Sequence, residues 1–231
     1  MTTLTTATAL TTTTPTRQLG RLEAALVPVG YVALMIGGGI AFALAGGNLD
    51  GVGISLLTAL VTFGTVGLTL AVRVRSFAPL LLRAPGTRWL WTGLGVGVAL
   101  RLLAFVISAL WIAFTGDAWN PHQDLADSAA LGGWSFVAIL ALGGLVIPFA
   151  EELLFRGVLF GALRRYGPVL AGLVSAALFG LAHVWPPLVL FAFVVGVVHA
   201  WMRERSGSIW PAVISHAVVN TLSIVMIALV A

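Results

Sequence analysis

Six consecutive residues, Glu151-Glu152-Leu153-Leu154-Phe155-Arg156, set three ionisable groups at the end of an apolar run from Leu131 to Ala150. A second apolar stretch, Gly157 to Leu163, follows at once. At the centre of a membrane helix each such group costs roughly 2.5–3.5 kcal/mol, so three together approach about 8–10 kcal/mol before any pairing. Internal pairing or a wet cavity must offset that cost. Arg156 lies one helical turn after Glu152, so these two share a face. Glu151 points about 100° away around the helix and lacks that partner. The spacing predicts Glu152 and Arg156 as a supporting pair and Glu151 as the group left for chemistry.

Two more pairs stand one turn apart on later apolar runs, Phe179 with His183 and His216 with Asn220. Three runs thus each bring polar groups to membrane depth. A base, imidazoles and an amide suit peptide hydrolysis. Glu151 can take a proton from water, and His183 can share that proton and return it to the leaving amine. His216 and Asn220 can donate to the tetrahedral oxyanion. The chain has no cysteine, which removes a thiolate nucleophile and a Cys-based zinc site. No Ser–His pair is evident. Two histidines and a glutamate can instead bind zinc, but the helical His-Glu-x-x-His spacing is missing.

Each residue has a plainer role beside it. A histidine or asparagine in a span often serves as an interhelical hydrogen bond, and Phe179 reads as packing. His199 sits toward the arginine-rich end of its run and reads as structural; His122 falls in a loop. Arg101 is a charge within a span that either pairs inside the bundle or meets a lipid headgroup. Register at 1.5 Å per residue puts His183 and His216 on either side of Glu151 in depth, a spread of roughly 10 Å that helix tilt or uneven ends must close.

The elements that must position these groups follow from composition. Of 231 residues 59% are hydrophobic and 9% charged, with mean hydropathy +1.06. A soluble domain carries about 25% charged residues; this is an integral membrane protein. The apolar runs are long enough for helices and do not alternate as barrel strands do. The expected fold is all-α, a polytopic bundle of about seven spans around an intramembrane polar cavity. The spans run near 24–46, 51–72, 90–114, 131–154, 169–185, 188–202 and 209–230. The helix bearing the glutamates is expected to continue to Arg164-Arg165 and break at Tyr166-Gly167-Pro168. The stretch 115–130, with three aspartates, reads as a loop, and Phe77 to Leu82 as a segment along the membrane surface.

Residues 1–16 are Thr-rich and read as a disordered tail. Residues 17–130 form the N-terminal membrane helices and 131–231 the catalytic membrane core, within one integral domain. Ala41-Phe42-Ala43 has the form of a signal-peptide cleavage site, yet the run is long and another span follows, so the first helix is expected to be retained. The pI near 11.0 comes from arginine alone. Those arginines lie in connections between runs, so they mark topology rather than nucleic-acid binding. Arg17/Arg21, Arg73 to Arg88, Arg164/Arg165 and Arg203/Arg205 alternate with connections holding Asp50 or the three loop aspartates. Seven spans across the cytoplasmic membrane, with the N-terminus on its inner side, satisfy the positive-inside rule.

Taken in order, Glu151-Glu152-x-x-x-Arg156, Phe179-x-x-x-His183 and His216-x-x-x-Asn220 resemble the motifs of the CPBP family, the CAAX-protease and bacteriocin-processing (Abi) intramembrane endopeptidases. Leu178 to His183 and Arg203 to Pro211 strengthen the likeness, which covers about 131–222. The resemblance implies a conical cavity in which Glu151 and His183 activate water, His216 and Asn220 form the oxyanion hole, and Glu152 and Arg156 support them. It implies a glutamate-type peptidase that needs no cofactor, in a family formerly classed as metalloproteases, so a divalent metal such as zinc stays open. Its partners would be the bilayer and a peptide or protein presented at it. Rival readings are a non-proteolytic bacteriocin-immunity or scaffold protein and a small proton- or cation-coupled transporter; the absence of an internal repeat counts against the transporter.

Overall fold

The computed structural model describes residues 18–47, 50–118 and 123–230; the Thr-rich tail and His122 lie outside them. Among the described residues there is no strand, and eight helices carry the chain. They are α1 (Arg21–Leu44), α2 (Gly51–Val74), α3 (Thr87–Thr115), α4 (Gln123–Ala130), α5 (Gly133–Tyr166), α6 (Pro168–Leu181), α7 (Pro186–Ser206) and α8 (Trp210–Val230). Six of them, α1, α2, α3, α5, α7 and α8, are long and apolar enough to cross a membrane. The chain is a multi-pass helical bundle. The remaining apolar helix, α6, has 14 residues and spans roughly 21 Å, short of the ~30 Å hydrocarbon core. It stops at Leu181 rather than at Trp185, because the chain turns sharply at Ala182–Val184.

Helix ends follow local chemistry. Asp50 caps α2, its carboxylate accepting the Gly53 N–H at 2.9 Å. Gly167, at φ +104°, stops α5 and Pro168 opens α6. Gly207, at φ +66°, ends α7. The stretch expected as a loop at 115–130 is helical in its second half, α4. Ser128 there takes the Gly51 N–H at 3.1 Å, satisfying another open amide at the start of α2. Eight residues, half of them polar, are too few to show a period, so that contact, and not the local pattern, reveals the helix.

The bundle packs through small residues. A side chain at Gly97 would stand 2.7 Å from the Ser215 carbonyl oxygen, so glycine lets α3 lie against the backbone of α8. Gly196 does the same for α6 and α7, where Ala176 Cα would be 2.8 Å from an added Cβ. The connection between α2 and α3, expected along the membrane surface, turns part of its length onto the bundle. Leu80 is buried against Gly157 of α5, and the carbonyls of Leu81, Leu82 and Arg83 accept from Ile209, Trp210 and Ser208. By contrast α1 is peripheral, with only Glu23 and Val27 buried. Glu23 ties its start down, accepting the Gly20 N–H at 2.8 Å and pairing with Arg73 at 3.0 Å. Arg101 lies against the Phe105 ring and Met226, without a carboxylate among the described residues.

Candidate active site

The glutamates sit on a short α-helical piece of α5, Ile147–Glu152, between two π-helical segments, Leu142–Val146 and Leu153–Leu159. Such widened turns often occur at functional sites. Each has a carbonyl that takes a donor from another helix. Asn220 Nδ2 donates to Gly143 O at 3.0 Å, and Arg203 Nε donates to Arg156 O at 3.0 Å.

Glu152 is the hub. It is fully buried, and Oε2 faces the equally buried Arg156 Nε at 3.2 Å, the pair that the four-residue spacing predicts. The contact is an ion pair without an aligned hydrogen bond. Arg156 lays its guanidinium on the Phe179 ring, 4.5 Å from the centroid. The other carboxylate oxygen, Oε1, meets two imidazoles, His199 Nδ1 at 3.0 Å and His216 Nδ1 at 2.9 Å. A carboxylate paired with arginine only accepts, so both Nδ1 atoms carry hydrogen.

Glu151 does not lack company. Its Oε2 lies 3.6 Å from His216 Nε2, too long for a hydrogen bond and close enough for a small group to bridge. Glu151 keeps 13% of its side chain exposed, whereas Glu152 has none. His183 sits just beyond the end of α6. Its Nδ1 donates to Phe179 O at 2.8 Å, and the next residue, Val184, turns at φ +60° with Trp185 N bonding His183 O at 2.7 Å. A β-branched residue in that region is strained, as functional turns often are. Phe179 is 1% exposed. Its ring contacts both imidazoles edge-on, with centroids 4.8 Å from His183 and 5.6 Å from His216. The histidines expected about 10 Å apart in depth thus flank one aromatic ring.

His199 is what sequence reasoning misplaced. Read as a structural residue near the interface, it is fully buried between Glu152 and Ser215, whose Oγ is 3.1 Å from Nε2. A signal existed: Ala192, Val195, Gly196, His199, Met202 and Arg203 are buried at helical spacing on one face of α7. Glu152, His199 and His216 each offer a ligand atom, all within 4.8 Å of one another, so the three could hold a metal ion.

Beside the cluster an apolar groove of about 160 Å³ opens between α1, α5 and α6, bounded by Val27, Tyr31, Leu154, Phe155, Leu178 and Leu181. Phe155 forms one wall and meets Phe179 edge-on at 5.0 Å.

Residues 133–222 match the family described as type II CAAX prenyl endopeptidase, Rce1-like. That segment contains every motif residue named above. Two curated relatives each match about two fifths of the chain. "Putative membrane peptidase YdiL" of Bacillus subtilis (strain 168) is 30% identical over 89 residues, 38% of this chain and 36% of that protein. "UPF0177 protein YxdF" of Lactococcus lactis subsp. lactis (strain IL1403) is 30% identical over 103 residues, 42% of this chain and 55% of that protein. The chain spans between about a third and just over half of the length of these relatives. No solved structure matches.

Proposed function

From the match of residues 133–222 to the Rce1-like CAAX endopeptidase family, we propose that the chain is an intramembrane endopeptidase using water activated by Glu151. The observation that carries the reading is the buried cluster in which Glu151 Oε2 and His216 Nε2 face each other at 3.6 Å above the Glu152 hub. Arg156 balances Glu152, so the cluster is neutral when Glu151 and His216 share one proton.

In this reading Glu151 removes a proton from the attacking water and His183 assists from the Phe179 side. The hydroxyl adds to the peptide carbonyl, and the oxyanion takes hydrogen bonds from His216 and Asn220. His216 can donate from Nε2 when it holds the shared proton, because Glu152 on Nδ1 stabilises the imidazolium, as the carboxylate does in a serine-protease triad. Asn220 spends one N–H on Gly143 and has a second to offer. Collapse of the intermediate breaks the C–N bond, and Glu151 or His183 returns a proton to the leaving amine. Glu152 and Arg156 touch neither water nor substrate and hold the others in place.

Metal chemistry fits the donor set less well. An ion bound to Glu152, His199 and His216 would have to displace both imidazole hydrogen bonds and sit beside the buried Arg156 guanidinium. The apolar groove beside Phe155 offers a way in for a substrate segment held in lipid. The arginine-bearing connections meet at one end of the bundle, where Arg164 pairs with Glu204 and Arg83 donates to Gly207 O. We assign that end, with the N-terminus, to the cytoplasmic side.

The test is cleavage of a membrane-presented peptide by purified, reconstituted protein. Glu151→Gln and His183→Ala should each lower the rate by at least about 100-fold, the scale of lost general acid–base catalysis, with unfolding transitions near that of wild type. Equal cleavage by wild type and both variants would reject the assignment.

A further inference from the structure

His199 belongs to none of the three motifs, and the proposed reaction gives it no step. Yet it is fully buried at the centre of the cluster and tied at both ring nitrogens. Its Nδ1–H donates to Glu152 Oε1 at 3.0 Å. On the other side Nε2 lies 3.1 Å from the Ser215 hydroxyl, which donates to it if the ring is neutral. A neutral ring suits both contacts and adds no charge to a cluster already balanced by Arg156. Ser215 is the residue before His216 on α8, so His199 of α7 bridges the hub on α5 to the helix that carries the reacting imidazole.

The geometry of Oε1 gives this bridge a consequence. One carboxylate oxygen receives two N–H groups, from His199 and from His216 at 2.9 Å. Those two donors and Arg156 on Oε2 together fix the rotation of the carboxylate. Remove His199, and the carboxylate can turn Oε1 as well toward the five-donor fork of Arg156, whose N–H groups have no aligned acceptor among the described residues. His216 then loses the acceptor that keeps hydrogen on Nδ1 and directs Nε2 at Glu151.

We propose that His199, steadied by Ser215, is a positioning residue that locks the Glu152 carboxylate so that His216 keeps hydrogen on Nδ1 and presents Nε2 to Glu151. It acts through Glu152 and touches neither water nor substrate. The proposal rests on the peptidase reading only for its kinetic consequence.

The experiment combines two readouts on the full-length protein. Nitrogen-15 NMR of histidine-labelled protein reports which nitrogen of His216 carries hydrogen, with His216→Ala used to assign the signal. Wild type should show a protonated Nδ1, and His199→Leu should shift His216 toward protonation at Nε2. In the cleavage assay His199→Leu should lose roughly 10–100-fold in kcat, as loss of a supporting hydrogen-bond partner does at comparable imidazole sites, with KM changed less than about twofold. His199→Asn puts an amide N–H near the position of Nδ1 and should restore most of the rate and the tautomer. His199→Gln reaches the Ser215 side instead and should not. This Asn/Gln contrast decides the matter even if His199→Leu fails to fold. Equal recovery by both, or an unchanged tautomer and kcat in a folded His199→Leu, overturns the proposal. If wild type cleaves nothing but the tautomer shifts as expected, the peptidase reading falls and the positioning role stands.

Discussion

Replacing Arg156 with methionine isolates the ion pair on which the cluster's neutrality depends. Methionine keeps much of the volume and removes the charge, leaving Glu152 ionised and fully buried. At 3.2 Å and an effective dielectric of about 20, the lost attraction is about 5 kcal/mol. The guanidinium's contact with the Phe179 ring adds about 1–2 kcal/mol more. Against this, Glu152 keeps two imidazole donors on Oε1, each worth about 1.5–3 kcal/mol to a charged acceptor. They soften the isolation of the charge without cancelling it. The net loss should fall at about 3–5 kcal/mol, the range for breaking a buried pair from one side. Adding Glu152→Gln removes the stranded charge, so the double variant should be more stable than the sum of the single changes by at least about 2 kcal/mol. Reversible unfolding in mixed micelles, or steric trapping in bicelles, measures all four corners of the cycle. A loss below about 1 kcal/mol for Arg156→Met, or a coupling under about 0.5 kcal/mol, would refute the view of Glu152 as a charged hub.

The same assay separates close packing from open helix surface. Gly97→Ala drives a methyl group to 2.7 Å from the Ser215 carbonyl oxygen and should cost about 1–3 kcal/mol. Gly64→Ala meets nothing within 4 Å and should be neutral or stabilising by up to about 1 kcal/mol. Arg164→Ala breaks a pair with Glu204 in which the Arg164 side chain is 45% exposed, so the loss should stay below about 1 kcal/mol and shrink further in high salt. Cleavage should survive dialysis against EDTA and 1,10-phenanthroline, with elemental analysis showing well under one zinc per chain. Loss of activity that only added zinc restores would return the metal reading to first place.

The class of fold was legible because hydropathy runs and helix breakers act locally. Tyr166-Gly167-Pro168 stops a helix wherever it occurs, and the four-residue spacing of Glu152 and Arg156 sets their contact within one helix. What required three dimensions was contact between helices. The turn at Ala182–Val184, with Val184 at φ +60°, ends α6 early and decides how His183 reaches Phe179. The inward fold of Leu80 depends on a space that only Gly157 opens. His199 was missed because its depth was judged from distance to the nearest arginines. Arg203 is itself buried, donating to Arg156 O and lying 4.3 Å over the Phe160 ring. An arginine that turns inward no longer marks the membrane boundary, so a residue one turn away can be central.

The two π-helical segments of α5 tie the glutamate-bearing helix to its neighbours from both sides of the glutamates. A helix in lipid has little hydrophobic incentive to hold a particular rotation, since its surroundings are as apolar as its side chains. Rotation must be fixed by polar contacts, and ordinary α-helical carbonyls are already engaged within the helix. The widened turns at 142–146 and 153–159 each supply a carbonyl that takes an outside donor, Asn220 from α8 above the pair and Arg203 from α7 below it. Between these anchors the carboxylates of Glu151 and Glu152 diverge, one toward His216 Nε2 and the other into the hub. Under the proposed mechanism Asn220 has two duties that pull in the same direction. The amide proposed to steady the oxyanion also ties α8 to the helix bearing the proposed base, so one side chain would set both the geometry of attack and that of its stabilisation.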